Sequence, residues 1–112
     1  MICHCTDQIR LAFGTLKVKE YGALSPKEVF AYHNAGKTVP TPKGMDQVGG
    51  SGTKPMIFKD DIDTLKEHII EFSNLDDNLE FGRHPYFGEL TKEKWTSLTI
   101  HHLDHHLKQF NV

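Results

Sequence analysis

Four histidines are concentrated near the end of this chain, where residues 101–106 read His-His-Leu-Asp-His-His. Within this run, His102 and His106 stand four positions apart. On an α-helix that spacing places two side chains on the same face, one turn from each other. Two imidazoles in this arrangement are able to bind one divalent metal ion. The pattern indicates a metal site, provided that the segment is helical and that the pair faces inward.

The segment around these histidines has the features of a long helix. Thr91 is a favourable N-cap residue, and it follows the apolar Leu90. No Pro or Gly interrupts residues 91–112. These features predict a helix over residues 91–110.

The two histidines lie on the apolar side of this predicted helix. At about 100° per residue, one broad face collects Trp95, Thr99, His102, Leu103, His106 and Phe110. His101 falls on the opposite, polar face, and His105 lies on the flank. A buried imidazole needs a polar partner. Two interpretations therefore remain open: a metal site, or core histidines that are bonded to backbone or to Gln109.

A metal site that performs chemistry needs a further protein ligand and an open coordination position. The spacing alone does not identify this ligand. The candidates are His4, His33, His68, His84, Cys3 and Cys5. His4 falls at the edge of an apolar arc, whereas His68 lies beside the stripe of its own helix and is expected to face solvent.

The composition predicts one globular domain over residues 1–112, with 38% hydrophobic and 25% charged residues. The formal net charge is −2, so we expect neither nucleic acid nor an anionic membrane as a partner. The apolar stretches are too short to span a membrane, and the first residues lack a signal-peptide core. The two cysteines at i and i+2 cannot easily pair with each other. A cytoplasmic location is expected.

Three further helices are predicted before the histidine helix. Residues 2–13 carry an apolar stripe that Gly14 ends. The run Ser25-Pro26-Lys27-Glu28 is a capping box with Pro at the first helical position, and it predicts a short helix over 26–35. With the third helix, over 60–75, the chain is expected to form an all-α fold of three main helices and one short helix.

The third helix is predicted to begin with Asp60 or Asp61 as its N-cap. Its apolar stripe has helical spacing and consists of Ile62, Leu65, Ile69, Phe72 and Leu75. We expect it to pack against the stripe of the last helix, formed by Trp95, Leu98, Leu103 and Phe110. The Gly- and Pro-rich segment 36–58 has no periodicity and is expected to be a flexible connection.

Two motifs resemble a known family. The loop His84-Pro85-Tyr86-Phe87-Gly88-Glu89-Leu90-Thr91 and the segment 102–110, His-Leu-Asp-His-His-Leu-Lys-Gln-Phe, resemble the C-terminal signature of an uncharacterised bacterial branch of the DinB-like superfamily. In that branch a His-Pro-Phe-Phe-Gly loop precedes a helix that reads roughly Lys-His-Leu-Asp-His-His-Leu-Arg-Gln-Phe. The opening segment, His4-Cys5 followed by Ile9-Arg10, resembles the second helix of the branch. The resemblance covers nearly the whole chain and is weakest over 36–58.

The resemblance implies a helical bundle with three histidines around a divalent metal. Matched by motif, these are His4, His102 and His106. It also implies a small-molecule substrate and a metal-dependent transferase, of the thiol S-transferase kind, or a hydrolase. Three imidazoles suit Zn, Ni, Fe or Cu, and metal affinity is expected to weaken below about pH 6. No catalytic residue is identified, and His105 is a possible acid–base group.

The resemblance further implies a helix before the one that carries His4, whereas this chain begins at Met1. Three main helices cannot close a four-helix bundle alone, so the apolar arc of residues 2–13 is expected to lack cover. We expect a homodimer to supply that cover. The alternative function is a non-catalytic helical assembly module with a structural or vestigial histidine site. A thiol-redox role for Cys3-His4-Cys5 is a weak third hypothesis, because the spacing is not Cys-x-x-Cys.

Overall fold

A computed structural model of the protein describes residues 1–18, 22–45, 47, 50–76 and 80–111. These residues form four α-helices: α1 (Ile2–Phe13), α2 (Pro26–Asn34), α3 (Phe58–Ser73) and α4 (Lys92–Gln109), with a 3₁₀ turn at Lys43–Met45. Within the same ranges no strand forms, and an isolated bridge joins His84 to Gly88. The predicted all-α fold is confirmed. None of the helices in these ranges is both long and apolar enough to cross a lipid bilayer.

α1 is the central helix. It packs against both α3 and α4. Its buried residues are Cys3, Cys5, Thr6, Asp7, Gln8, Ile9, Leu11 and Ala12. Gly14 ends the helix in the left-handed conformation, with φ of 77°, as a glycine after the last turn predicts. The expectation that the apolar arc of α1 lacks cover is wrong, because one copy of the chain buries it.

α3 runs parallel to α1. Burial raises the pKa of the Cys3 thiol, and the thiol lies close enough to Asp61, near the start of α3, for that carboxylate to raise it further. Ten residues further along α1, the Phe13 ring lies 6.3 Å from the ring of Phe72, near the end of α3. The first turns of α1 and α3 therefore lie at the same end of the bundle.

α4 runs antiparallel to α1, because His4 in the first turn of α1 lies beside His102 in the second half of α4, whereas Ile9, further along α1, lines a groove that reaches Lys92 at the start of α4. This groove has a volume of about 360 Å³ and separates α3 from α4. Ile9 of α1, Phe72 of α3 and Leu103 of α4 are among the residues that line it. The apolar stripes of α3 and α4 therefore both pack against α1, and the groove limits direct contact between them.

The predicted stripe of α4 is only partly buried. Trp95 is buried, as are Leu65 and Phe72 of the stripe on α3. Phe110, in contrast, is 59% exposed, which corrects the prediction. It is the C-cap residue beyond the end of α4.

α2 begins as predicted, with a complete capping box between Ser25 and Glu28. The backbone N–H of Glu28 donates to the Ser25 hydroxyl, and the Glu28 carboxylate accepts from the backbone N–H of Ser25. No residue of α2 is buried. The Phe30 ring lies 6.0 Å from that of Phe87, in the loop that precedes α4. α2 therefore rests on the surface of the bundle.

The predicted N-cap of α3 is wrong. The helix begins at Phe58, and its N-cap is Ile57, which makes no side-chain cap bond. The carboxylate of Asp61 instead accepts a hydrogen bond from the backbone N–H of Met56. Asp61 thus holds the incoming chain from within the first turn, which allows the helix to start before Asp60.

The Gly-rich segment that precedes α3 is attached to α1. The fully buried carboxylate of Asp7 accepts hydrogen bonds from the backbone N–H and the hydroxyl of Thr53, and from Arg10. A Cβ on Gly52 would collide with the carbonyl oxygen of Met45, so only glycine fits this contact. The connection that was expected to be flexible is therefore anchored by Thr53 to Asp7, and Asp7 lies one turn along α1 from His4.

The loop that leads into α4 is anchored at the other end of α1. The backbone N–H of Gly82 donates to the carbonyl oxygen of Ala12 at 2.7 Å. The two backbones approach so closely that a Cβ on Gly82 would collide with the carbonyl oxygen of Leu11. α1 is therefore tied to a loop near each of its ends.

Candidate metal centre

Three imidazoles from opposite ends of the chain meet between α1 and α4. His4 lies in the first turn of α1, and His102 and His106 lie one turn apart on α4. The Nε2 atom of His102 is 3.0 Å from Nε2 of His4 and 3.2 Å from Nε2 of His106. The potential ligand atoms all lie within 4.8 Å of one another. In the part of the chain that the structure describes, this is the one cluster of three or more potential metal ligands.

The spacing of these nitrogens fits a shared metal ion. Zn–N bonds are about 2.0–2.1 Å long, so two imidazole nitrogens on one tetrahedral ion are about 3.3 Å apart. Two of the three separations, 3.0 Å between His102 and His4 and 3.2 Å between His102 and His106, are close to that value. Two Nε2 lone pairs at such a distance repel each other unless a proton or a metal lies between them. A divalent ion bound by all three nitrogens would satisfy them together and would leave a coordination position open.

Burial keeps these imidazoles neutral. It lowers the pKa of His102 to about 3, with a further contribution from the neighbouring histidines. It also lowers the pKa of His4 and of His106 below the ordinary value of 6.5. A metal binds the lone pair of a neutral imidazole, so protonation competes with binding. At neutral pH these nitrogens are therefore available as ligands.

Gln109 fixes the orientation of His106. Its Oε1 lies 2.7 Å from Nδ1 of His106. Because an amide oxygen only accepts hydrogen bonds, Nδ1 carries the proton and Nε2 is left with its lone pair. A hydrogen bond of this kind behind the ligand nitrogen is usual for metal-binding histidines. The bond to Gln109 is thus compatible with a metal site as well as with a core histidine.

The other histidines on the surface lie outside this cluster. His101 is exposed, and its ring is 5.8 Å from that of His33 on α2. His68 is half-buried rather than solvated. Its Nδ1 lies 2.8 Å from the carbonyl oxygen of Thr64. His105 is exposed, with its ring 5.2 Å from that of His106.

His84 organises the loop before α4. Its Nδ1 accepts hydrogen bonds from the backbone N–H groups of Tyr86 at 3.0 Å and Phe87 at 3.2 Å. Burial lowers its pKa to about 4, and its ring lies 5.6 Å from that of Trp95. Sequence reasoning missed this role. The signal was available, because a polar residue that opens a turn before Pro often accepts from the N–H groups that follow.

The two cysteines are buried and protonated. Burial raises the pKa of Cys5 to about 11. Burial and the nearby Asp61 carboxylate raise the pKa of Cys3. The thiolate is the reactive form of cysteine, so neither residue is suited to nucleophilic or redox chemistry. The geometry gives the thiol-redox hypothesis no support.

Comparison with known proteins gives one relationship. The family of proteins of unknown function DUF1569 matches residues 45–112. The matched region contains α3, the loop with His84, and α4 with His102 and His106. No curated protein and no solved structure matches the chain. Because the match covers more than half of its length, the chain belongs to the DUF1569 family.

Proposed function

We propose that the protein is a metal-dependent enzyme, a transferase or hydrolase that acts on a small molecule at a divalent ion held by His4, His102 and His106. The observation that carries this proposal is the convergence of three neutral imidazoles within 4.8 Å. DUF1569 is grouped with the DinB-like families, which supports the resemblance in the sequence motifs. The resemblance implies either a thiol-dependent transferase or a hydrolase as the reaction class. Two unpaired cysteines support a cytoplasmic location.

A bound divalent ion would lower the pKa of a coordinated water or thiol and polarise a substrate oxygen. The chain itself contributes ligands of different accessibility, since His102 is more deeply buried than His106. His105 is exposed and its ring lies beside that of His106, which supports a role in exchanging a proton with a substrate. Asp104 is paired with Lys108 on the outer face of α4, so it is not a candidate base.

Metal analysis of protein purified without a histidine tag tests the proposal. We expect one Zn, Ni or Fe ion per chain by elemental mass spectrometry. Burial lowers the pKa of all three ligands, so half of the metal should be released below pH 6, lower than for histidines with the ordinary pKa of about 6.5. Protein that binds none of these ions after reconstitution would contradict the proposal.

Cobalt substitution distinguishes an open site from a closed one. If the site has a free coordination position, azide should change the visible spectrum of the Co²⁺ protein. A four-coordinate site that is already closed should give an unchanged spectrum. That result would favour a structural role for the metal.

The second candidate function is the non-catalytic assembly module, and the surface of α3 and α4 favours it. Ile69 and Ile100 both line the groove between these helices, and they are 38% and 64% exposed. Contiguous apolar surface of this kind often marks a protein–protein contact. We propose that two copies of the chain cover this face in a homodimer, because two-fold dimers are the commonest oligomers.

Analytical ultracentrifugation tests the homodimer. We expect a dimer at micromolar concentration, and Ile100→Glu should convert it to monomer by placing a charge in the contact. Thr15→Glu introduces the same charge at an exposed residue just beyond α1 and should leave the dimer intact. A wild-type protein that sediments only as monomer would exclude this assembly.

A further inference from the structure

An unusual set of buried polar atoms lies at the contact between α1 and α4. Among the residues that the structure describes, five buried side-chain atoms have no hydrogen-bond partner, and four of them belong to α1 and α4: Gln8 Nε2, Trp95 Nε1, Thr99 Oγ1 and His102 Nδ1. Most buried polar atoms in proteins are hydrogen-bonded to protein or to ordered water. A concentration of unbonded atoms at one contact therefore indicates that something polar belongs there.

The residues that carry these atoms lie within about two helical turns of His4 or His102. Thr99 is one turn before His102 on α4, and Gln8 is one turn after His4 on α1. Because α1 and α4 are antiparallel and His4 touches His102, Gln8 faces the turn that contains Thr99. Gln8 and Thr99 are each only 5% exposed. Trp95, one turn further from the metal centre, marks the deep end of the same contact.

His102 is the ligand whose hydrogen bonding is incomplete. If its Nε2 binds a metal, its Nδ1 carries a proton and needs an acceptor. His106 meets the same need through Gln109. The Nε2 of Gln8 and the Nε1 of Trp95 are also donors, and the Thr99 hydroxyl is the single acceptor in the set. One hydroxyl oxygen cannot accept hydrogen bonds from all three of these N–H donors, so at least one donor would remain without a partner.

A water molecule resolves the mismatch among Gln8, Thr99 and His102, since it accepts two hydrogen bonds and donates two. We propose that Gln8, Thr99 and His102 bind a buried water, and that Thr99 is a positioning residue for the metal centre. The water accepts from His102 Nδ1–H and from Gln8 Nε2–H, and it donates to Thr99 Oγ1. It thereby holds His102 in the tautomer that leaves Nε2 free for the metal. The inference rests on the proposed metal site.

Two matched threonine variants test the role of Thr99. Thr99→Val keeps the shape of the side chain and removes the acceptor. Thr96→Val is the control, because the Thr96 hydroxyl donates to the carbonyl oxygen of Lys92 within α4. Loss of a hydrogen bond behind a ligand histidine typically weakens metal binding about 10- to 100-fold. We expect about a tenfold loss of Zn²⁺ affinity in Thr99→Val and no change in Thr96→Val.

Gln8→Met provides a second variant of similar size, in case Thr99→Val fails to fold. It should weaken Zn²⁺ binding in the same direction as Thr99→Val. In long-range ¹⁵N–¹H NMR spectra of the zinc-loaded protein, the His102 Nδ1–H signal should be protected in the wild type. It should exchange faster with solvent in both variants, whereas Thr96→Val should resemble the wild type.

A high-resolution crystal structure of the metal-free protein gives an independent readout. We expect ordered water density within hydrogen-bonding distance of Gln8, Thr99 and His102. Direct bonds among these side chains with no water between them would overturn the proposal, as would an unchanged Zn²⁺ affinity in Thr99→Val. A wild-type protein that binds no metal would instead reject the metal site. In that case the water density still decides whether the hydrated pocket exists.

Discussion

His102→Ala is expected to remove metal binding, whereas His101→Ala is expected to leave it unchanged. His102 is the central member of the cluster, because its Nε2 approaches both His4 and His106. Without the His102 imidazole, only His4 and His106 remain as ligands, and the nitrogen that lies close to both of them is gone. Outer hydrogen-bond partners are already worth about 10- to 100-fold in metal affinity, so loss of a ligand should cost about 100-fold or more. Competition with a chromophoric chelator, using untagged protein, measures this difference.

The control is closely matched to the test. His101 is the neighbouring residue in the same helix and has the same side chain, but it is exposed. Any general effect of replacing a histidine on α4 should therefore appear in both variants. His106→Ala should behave like His102→Ala. Equal metal affinity in His106→Ala and His101→Ala would refute the convergence of these ligands on one ion.

Gly82→Ala should destabilise the fold by about 3 kcal/mol or more, through steric overlap and loss of a buried hydrogen bond. The new Cβ would collide with the carbonyl oxygen of Leu11 and lie 2.9 Å from Cα of Gly14. Both neighbours are backbone atoms, so no flexible side chain can move aside. The hydrogen bond from Gly82 to Ala12 would stretch or break. Urea unfolding followed by circular dichroism measures the loss of stability.

Gly36→Ala separates this collision from simple backbone strain. Gly36 has a φ of 70°, and a Cβ there would meet nothing within 4 Å. Gly36→Ala should therefore lower the free energy of unfolding by only about 1 kcal/mol, which is the cost of holding alanine in the left-handed conformation. If the two alanine variants were equally stable, the close approach of Gly82 to α1 would not contribute to the fold.

Helix positions followed from local signals in the sequence. Ser25 and Glu28 form a capping box, and Gly14 ends α1 in the left-handed conformation. Each of these signals involves residues within about one turn, so it can be recognised from the sequence without knowledge of the rest of the fold. The N-cap of α3 was mispredicted because Asp61 binds the backbone of Met56 from inside the helix. An acidic residue near a helix start does not reveal which backbone group it will hold.

The cover of α1 was mispredicted for a different reason. Counting helices predicted an exposed apolar arc, but non-helical residues also supply core side chains, among them Leu16 and Val18. Met45, in the 3₁₀ turn, joins the same core. The hydrophobic periodicity of α-helices cannot identify such residues, because they lie outside the α-helices. Tertiary contacts decided this part of the fold.

The histidine cluster was predictable in part. Helical periodicity placed His102 and His106 on one inward face without any knowledge of the fold. Spacing could not select His4, which is 98 positions from His102, and only the resemblance singled it out. The unbonded atoms of Gln8 and Thr99 were beyond sequence reasoning, because a missing hydrogen bond is visible only in three dimensions.

The meeting of His4 with His102 joins the two ends of the chain, and this has a consequence for folding. An ion bound to both residues acts as a cross-link between positions 98 apart. A covalent cross-link that closes a loop of this size restricts the unfolded chain by about 4–5 kcal/mol in the chain-entropy model. A metal that dissociates from the unfolded chain confers stability through its affinity for the folded site instead. If the protein binds a metal there, local unfolding at His4 or at His102 would break the same cross-link, and a chelator should make α1 and the second half of α4 accessible to proteases together.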